Sequence, residues 1–242
     1  MKTYLKQLLL VVMMLLVVAA TGCKKSYASA SASSEASKES TSKAAVSDAL
    51  LDELIESTDM VNTFETAAVS ILEQLGINDK GYINKIKEEL PGVAKDIYKK
   101  HFTGDEIKQI IELNKDEVQQ KWIKLTPTIM EEAFSVAMNY VNGEEAANPA
   151  VSADFQAAMN DYFEAQEFDK QMEQLGSGED INFLRNTMMG ICSKYFSVDE
   201  VKHLTELSKL PISVKARKET PAIQQEISAA MRSVIMNHMK KL

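Results

Sequence analysis

Residues 100–132 return, without a gap, 94 positions further along the chain. Lys100, Phe102, Asp105, Glu106, Lys108, Glu112, Leu113, Lys115, Lys121, Lys124, Thr126, Pro127, Ile129 and Glu132 all fall on identical residues, 14 of 33 positions. Upstream, Glu-Gln-Leu-Gly at 73–76 recurs at 173–176, a spacing of 100. Self-similarity at a fixed period is the signature of a repeated structural unit, and it constrains the fold more than any single motif. Whatever residues 47–143 form, residues 152–242 are expected to form again.

The shared residues are of the kind that start helices. In "FTGDEI", Thr103 is expected as the N-cap and Glu106 as the third residue of a capping box. Phe102 is placed to pack on Ile107 as a hydrophobic staple. "FSVDEV" repeats the pattern with Phe196, Ser197, Glu200 and Val201. "LTPTIMEEA" and "ETPAIQQEI" place Thr126 and Thr220 before Pro127 and Pro221, the order of an N-cap followed by a first-turn proline. Each unit is therefore expected to hold about four helices. In the first unit these are about 48–75 with Gly76 as its stop, 80–101 kinked or split at Pro91, 104–115 and 127–141. In the second they are about 152–175 with Gly176 as its stop, 179–195, 198–209 and 221–240. Residues 142–150, "NGEEAANPA", read as the connection. Proline and glycine are few and β-branched runs are short, so the fold class is all-α, two tandem helical bundles.

Residues 1–22 carry a different message. Lys2 and Lys6 precede an uncharged apolar run from Leu8 to Ala20, 13 residues long. That is the length of a signal-peptide core and too short to cross about 30 Å of hydrocarbon as a helix. The run closes on Ala20-Thr21-Gly22-Cys23. Small residues leading into a cysteine resemble the lipobox of bacterial lipoproteins, and that resemblance implies a diacylglyceryl group on Cys23 with cleavage just before it. Several acyl chains make a durable anchor, at about 0.8 kcal/mol for each buried methylene. Lys24 and Lys25 follow, with no aspartate at the sorting position. The periplasmic face of an outer membrane is the expected address, with the cell surface second. Residues 26–45 are rich in Ser and Ala, with no large apolar side chain after Tyr27. Residues 23–46 are expected to be a disordered tether with a reach of roughly 25 Å.

Removal of residues 1–22 takes two lysines and no acid, so the formal charge moves from −8 to −10. No run of more than two consecutive Lys or Arg residues occurs, Lys240-Lys241 included, which argues against nucleic acid as a partner. Of two cysteines, only Cys192 lies in the folded part, so no internal disulfide is available there. It shares a helical face with Met188 and reads as a buried thiol.

The run from Asp96 to Ala133 resembles the bacterial family called domain of unknown function 2059, through Tyr98, Phe102, Thr103, Glu106 and Pro127. The second copy is similar through Phe196, Ser197, Glu200 and Pro221. The resemblance implies an exported helical protein and supplies no catalytic residues. "NKDEVQQ" and "SKLPISV" stand where members often carry a Ser-Pro-x-Gly turn.

No nucleophile elbow, phosphate loop, Cys-x-x-Cys or His-x-x-x-His pair occurs. The three histidines are His101, His203 and His238. Acidic pairs such as Asp161 with Glu164, or Glu131 with Glu132, read as solvated helix faces. Met236, His238 and Met239 gather soft and imidazole donors that suit Cu(I), although methionine at helical spacing also fills cores. Met138, Met159, Met172, Met188 and Met189 are candidates for a plastic groove or for ordinary core. Trp122, opposite Ala216 in the repeat, suits core packing or an asymmetric surface. The expected function is a non-enzymatic envelope lipoprotein that binds a protein or a lipid-like ligand and needs no cofactor. A periplasmic copper-binding protein and an uncharacterised hydrolase are the alternatives.

Overall fold

A computed structural model describes residues 46–58, 80–141, 150–172 and 178–239. It contains α1 (Asp48–Ser57), α2 (Lys80–His101), α3 (Gly104–Asn114), α4 (Glu117–Val141) and α5 (Ala153–Ala165). These are followed by α6 (Phe168–Met172), α7 (Gly178–Tyr195), α8 (Val198–Ser208) and α9 (Pro211–Met239). No strand occurs among the described residues, and the fold class is all-α. The 94-residue offset recurs in the element bounds. α2 and α7 end at His101 and Tyr195, α3 and α8 coincide at both ends, and α4 and α9 start at Glu117 and Pro211.

The helix starts follow local chemistry. The Glu106 carboxylate accepts from the Thr103 backbone N–H at 2.8 Å, and the Glu106 N–H reaches the Thr103 hydroxyl at 3.4 Å. Ser197 and Glu200 form the same capping box at 2.7 and 3.2 Å. Two otherwise orphaned backbone donors are satisfied at each start. Phe102 and Ile107 are buried, as are Phe196 and Val201. Ser47 and Ser152 cap α1 and α5 through their hydroxyls, at 3.3 Å in each case.

Thr126 and Thr220 are not N-caps, and Pro127 and Pro221 do not open helices. Both prolines lie inside longer helices, α4 and α9. The threonine hydroxyls turn back and donate to the carbonyls four residues earlier, Trp122 and Ala216, each at 2.8 Å. The actual start of α4 is Asp116, whose carboxylate accepts from the N–H groups of Val118 and Gln119 at 3.0 and 3.2 Å. In the second copy, leucine stands at 210 and Pro211 takes the first helical position, where a missing N–H costs nothing. The magnitudes explain why α4 runs through its proline. An interior proline costs about 3 kcal/mol. Burying an indole removes about 150–250 Å² from water, worth at most about 4–6 kcal/mol. A helix starting at Pro127 would forfeit the helical placement of Trp122, which is 1% exposed.

Of the two alternatives expected at Pro91, a kink or a split, the split does not occur: α2 runs through it as one element. One further expectation is corrected. The helix expected over 152–175 breaks at Gln166 and Glu167, and Glu167 adopts a left-handed φ of 52°. Polar groups from α8 and α9 fix this break. The Gln166 side chain donates to the Ser208 hydroxyl at 2.7 Å and accepts from Arg217 at 3.1 Å. α1 ends at Ser57, where the hydroxyls of Ser57 and Thr58 both bond the Leu54 carbonyl. The expected continuation to Leu75, the stops Gly76 and Gly176, and the connection 142–149 lie outside the described residues.

The chain forms two compact units. One holds residues 113–220 and the other holds residues 46–112 together with 221–239, among those described. In the first unit, α5, α7 and α8 pack with α4 around Trp122, Ile129, Phe155, Met159, Tyr162 and Phe196. In the second, α1 packs on α2 through Ile55, Ala94 and Tyr98, and Leu51, Leu54, Ile97, Ile107, Ile110, Ile111 and Ile223 are also buried. These units are not the same division as the sequence repeat, because residues 113–141 belong with the second copy's helices and 221–239 with the first copy's.

Candidate functional site

The polar side chains that the repeat preserves form two carboxylate stations. In the 113–220 unit, Glu132 of α4 accepts from the Lys194 ammonium at 2.6 Å through one oxygen and from the Tyr195 hydroxyl through the other. In the other unit, Glu226 of α9 accepts from Lys100 at 2.7 Å and lies 3.0 Å from His101 Nε2. Lys100 and His101 stand 94 positions before Lys194 and Tyr195, whereas Glu226 stands 94 positions after Glu132, so the two stations are reciprocal. Each arises because the last helix of one copy passes the carboxyl end of α2 or α7, where basic side chains also complement the helix dipole. The Lys194 and Tyr195 hydrogen bonds hold the Glu132 carboxyl below its usual range. The Lys100 and His101 hydrogen bonds do the same for Glu226. Carboxylates held down in this way are fixed anchors and poor proton donors. Glu132 is therefore not part of a simple solvated face, whereas Glu131, Asp161 and Glu164 are exposed.

A third polar cluster escaped sequence reasoning. His203 Nε2 of α8 lies 2.9 Å from Asp116 Oδ2, the same carboxylate that caps α4. Burial raises the Asp116 value, but the His203 hydrogen bond and the Val118 and Gln119 N–H groups together outweigh it, and the net shift is downward. The available signal was the D-x-x-Q run at 116–119, which has the form of a capping box. A group with a depressed folded value contributes stability above its unfolded value, and that contribution is lost as pH falls through the folded value. Asp116→Asn is expected to keep the cap and to flatten the acid limb of the stability profile from about pH 5 downward through the lowered folded value. Asp116→Ala is expected to lose about 1 kcal/mol at neutral pH as well. Urea midpoints across the pH series read both, and an acid limb unchanged in Asp116→Asn would sink the assignment.

The remaining candidates resolve simply. Met159, Met172, Met188 and Met189 are buried and fill core; Met138 is half-buried. Cys192 is fully buried, and burial pushes its thiol up to about 12. Trp122 is core, with ring centroids 5.5 Å from Tyr162 and 5.3 Å from Phe196. Phe134 and Tyr140, on α4, are exposed, and Tyr140 stacks on Phe183 at 4.1 Å. Cys23 and the side chains of Met236, His238 and Met239 lie outside the described residues. Among the described residues no three His, Cys, Asp or Glu side chains gather as a metal site, and no helix is long and apolar enough to cross a membrane. No family model, curated protein or solved structure matches the chain.

Proposed function

We propose that the chain is a lipid-anchored, helical binding module of a bacterial envelope, acting by association rather than catalysis. The observation that carries this reading is the sequence Ala20-Thr21-Gly22-Cys23 at the end of a 13-residue apolar run, followed by a Ser/Ala tether and then by folded helices from Asp48. The charged groups the repeat retains support it. Glu132 and Glu226 are tied into structural stations and kept ionised, which suits architecture more than proton transfer. The likeness to domain of unknown function 2059 points to the same exported, helical class. We read the two copies as a tandem duplication, supported by the identities and by helix bounds that agree at an offset of 94. The ligand on this reading is an envelope protein or a lipid-like molecule.

Cys23→Ser is the direct test. The unaltered protein is expected in the membrane fraction, with an acylated Cys23 as its first residue by mass spectrometry. The variant, once cleaved after its apolar run, is expected to leave that fraction, since among the described residues no helix is long and apolar enough to cross a membrane. A variant that stays with the membrane, or a mature chain that begins elsewhere without lipid, would remove the reading.

A further inference from the structure

The two copies in the sequence are not the two compact bodies in space, and the difference has a regular form. Residues 127–141, from the proline of α4 onward, end the first copy yet lie in the unit built from the second copy's helices. Residues 221–239, from the proline of α9 onward, end the second copy yet lie in the unit built from the first copy's helices. We propose that the terminal helix of each copy is the obligate partner of the other copy, so that each compact body is a hybrid and neither copy is complete alone.

Independent contacts in both units carry this. Glu132 meets Lys194 and Tyr195, and their first-copy equivalents Lys100 and His101 meet Glu226. Had each copy folded on itself, the pairs would have been Glu132 with Lys100 and Glu226 with Lys194. The apolar contacts agree. Met130 of α4 packs in one cluster with Met172 and Leu184 of the second copy, and Tyr140 stacks on Phe183. Earlier in the same helix, Trp122 lies against Tyr162 and Phe196, and Lys121 reaches Glu200 at 2.7 Å. In the other unit Ile223 is buried, at 6% exposure, one turn before Glu226. A helix whose apolar face packs on the other copy draws its stability from there, since most helical stability comes from packing such a face. The kind of partner each copy recognises is thus a second copy of the same unit, here supplied on the same chain.

The inference rests on the duplication read above, and its test separates the two. The full chain with Cys23→Ser receives a protease site within 142–149 and is cut after folding. Cys192 is buried and stays silent to thiol reagents. The pieces are expected to remain one species of full mass by light scattering, with unchanged helicity. Glu132→Cys with Lys194→Cys, treated with a short bismaleimide, is expected to join the two pieces on a denaturing gel. Glu226→Cys with Lys100→Cys is expected to join them as well. Glu132→Cys with Lys100→Cys, and Glu226→Cys with Lys194→Cys, are expected to give no cross-link. These positions are partly exposed, from 29% to 62%, so the variants should retain their helicity. Pieces that separate after cutting, or cross-links within each piece but not between them, would overturn the exchange. Either result would leave the duplication standing on its sequence identities.

Discussion

Trp122→Ala is expected to lower the stability of the 113–220 unit by about 3–5 kcal/mol. The indole is 1% exposed and touches aromatic rings from α5 and from the α7–α8 junction. Its removal therefore opens a cavity where three helices meet, and the surroundings collapse only partly. Trp122→Phe is expected to lose far less. It keeps most of the ring contact and removes the indole N–H, which has no hydrogen-bond partner among the described residues. Denaturant unfolding followed by circular dichroism reads both variants, since the alanine variant has no tryptophan to follow. A loss below about 1 kcal/mol for alanine would show that the side chain is not the keystone its burial indicates.

Pro127→Ala is expected to act in the other direction, stabilising the protein by about 1–3 kcal/mol. The proline is exposed and sits inside α4, where it removes a backbone bond and crowds the carbonyl of Ile123. Alanine restores the N–H and keeps helical geometry. The gain falls short of the full propensity difference because proline also restricts the unfolded chain. Pro221→Ala, at the equivalent place in α9, is expected to behave alike. Thermal and denaturant midpoints measure the pair. A loss of stability in both would mean that the bend made by proline is itself packed against, and that the repeated Thr-Pro is retained for its shape.

The helix type, the two capping boxes and the bounds of α3 and α8 were legible because each rests on neighbours in sequence. Thr103 with Glu106 and Ser197 with Glu200 need only three residues to declare themselves. The Thr-Pro pairs misled for the same reason. Locally they form a good helix start, but burial of Trp122 five residues earlier outweighs a proline's cost, and nothing in the local run states that burial. The carboxylate stations were half legible. Lys100, Lys194, Glu132 and Glu226 stand out as repeated, yet their pairing depends on which copy each terminal helix joins. That information lies in packing between segments more than sixty residues apart, and so did the contact between His203 and Asp116.

The fold meets its N-terminal side at Ser47, and there two ion pairs run in series. Asp48 bonds Lys99 at 2.7 Å, and Asp52 bonds Lys95 at 2.5 Å, one turn further along an antiparallel pair of helices. A load that arrives through residues 23–46 and pulls away from the body reaches the first pair alone, and the second only after the first has opened. Bonds loaded in succession yield at low force, whereas bonds loaded together resist as a group. On the proposed anchoring, the two pairs open one after the other before the buried Leu51 and Leu54 are drawn out.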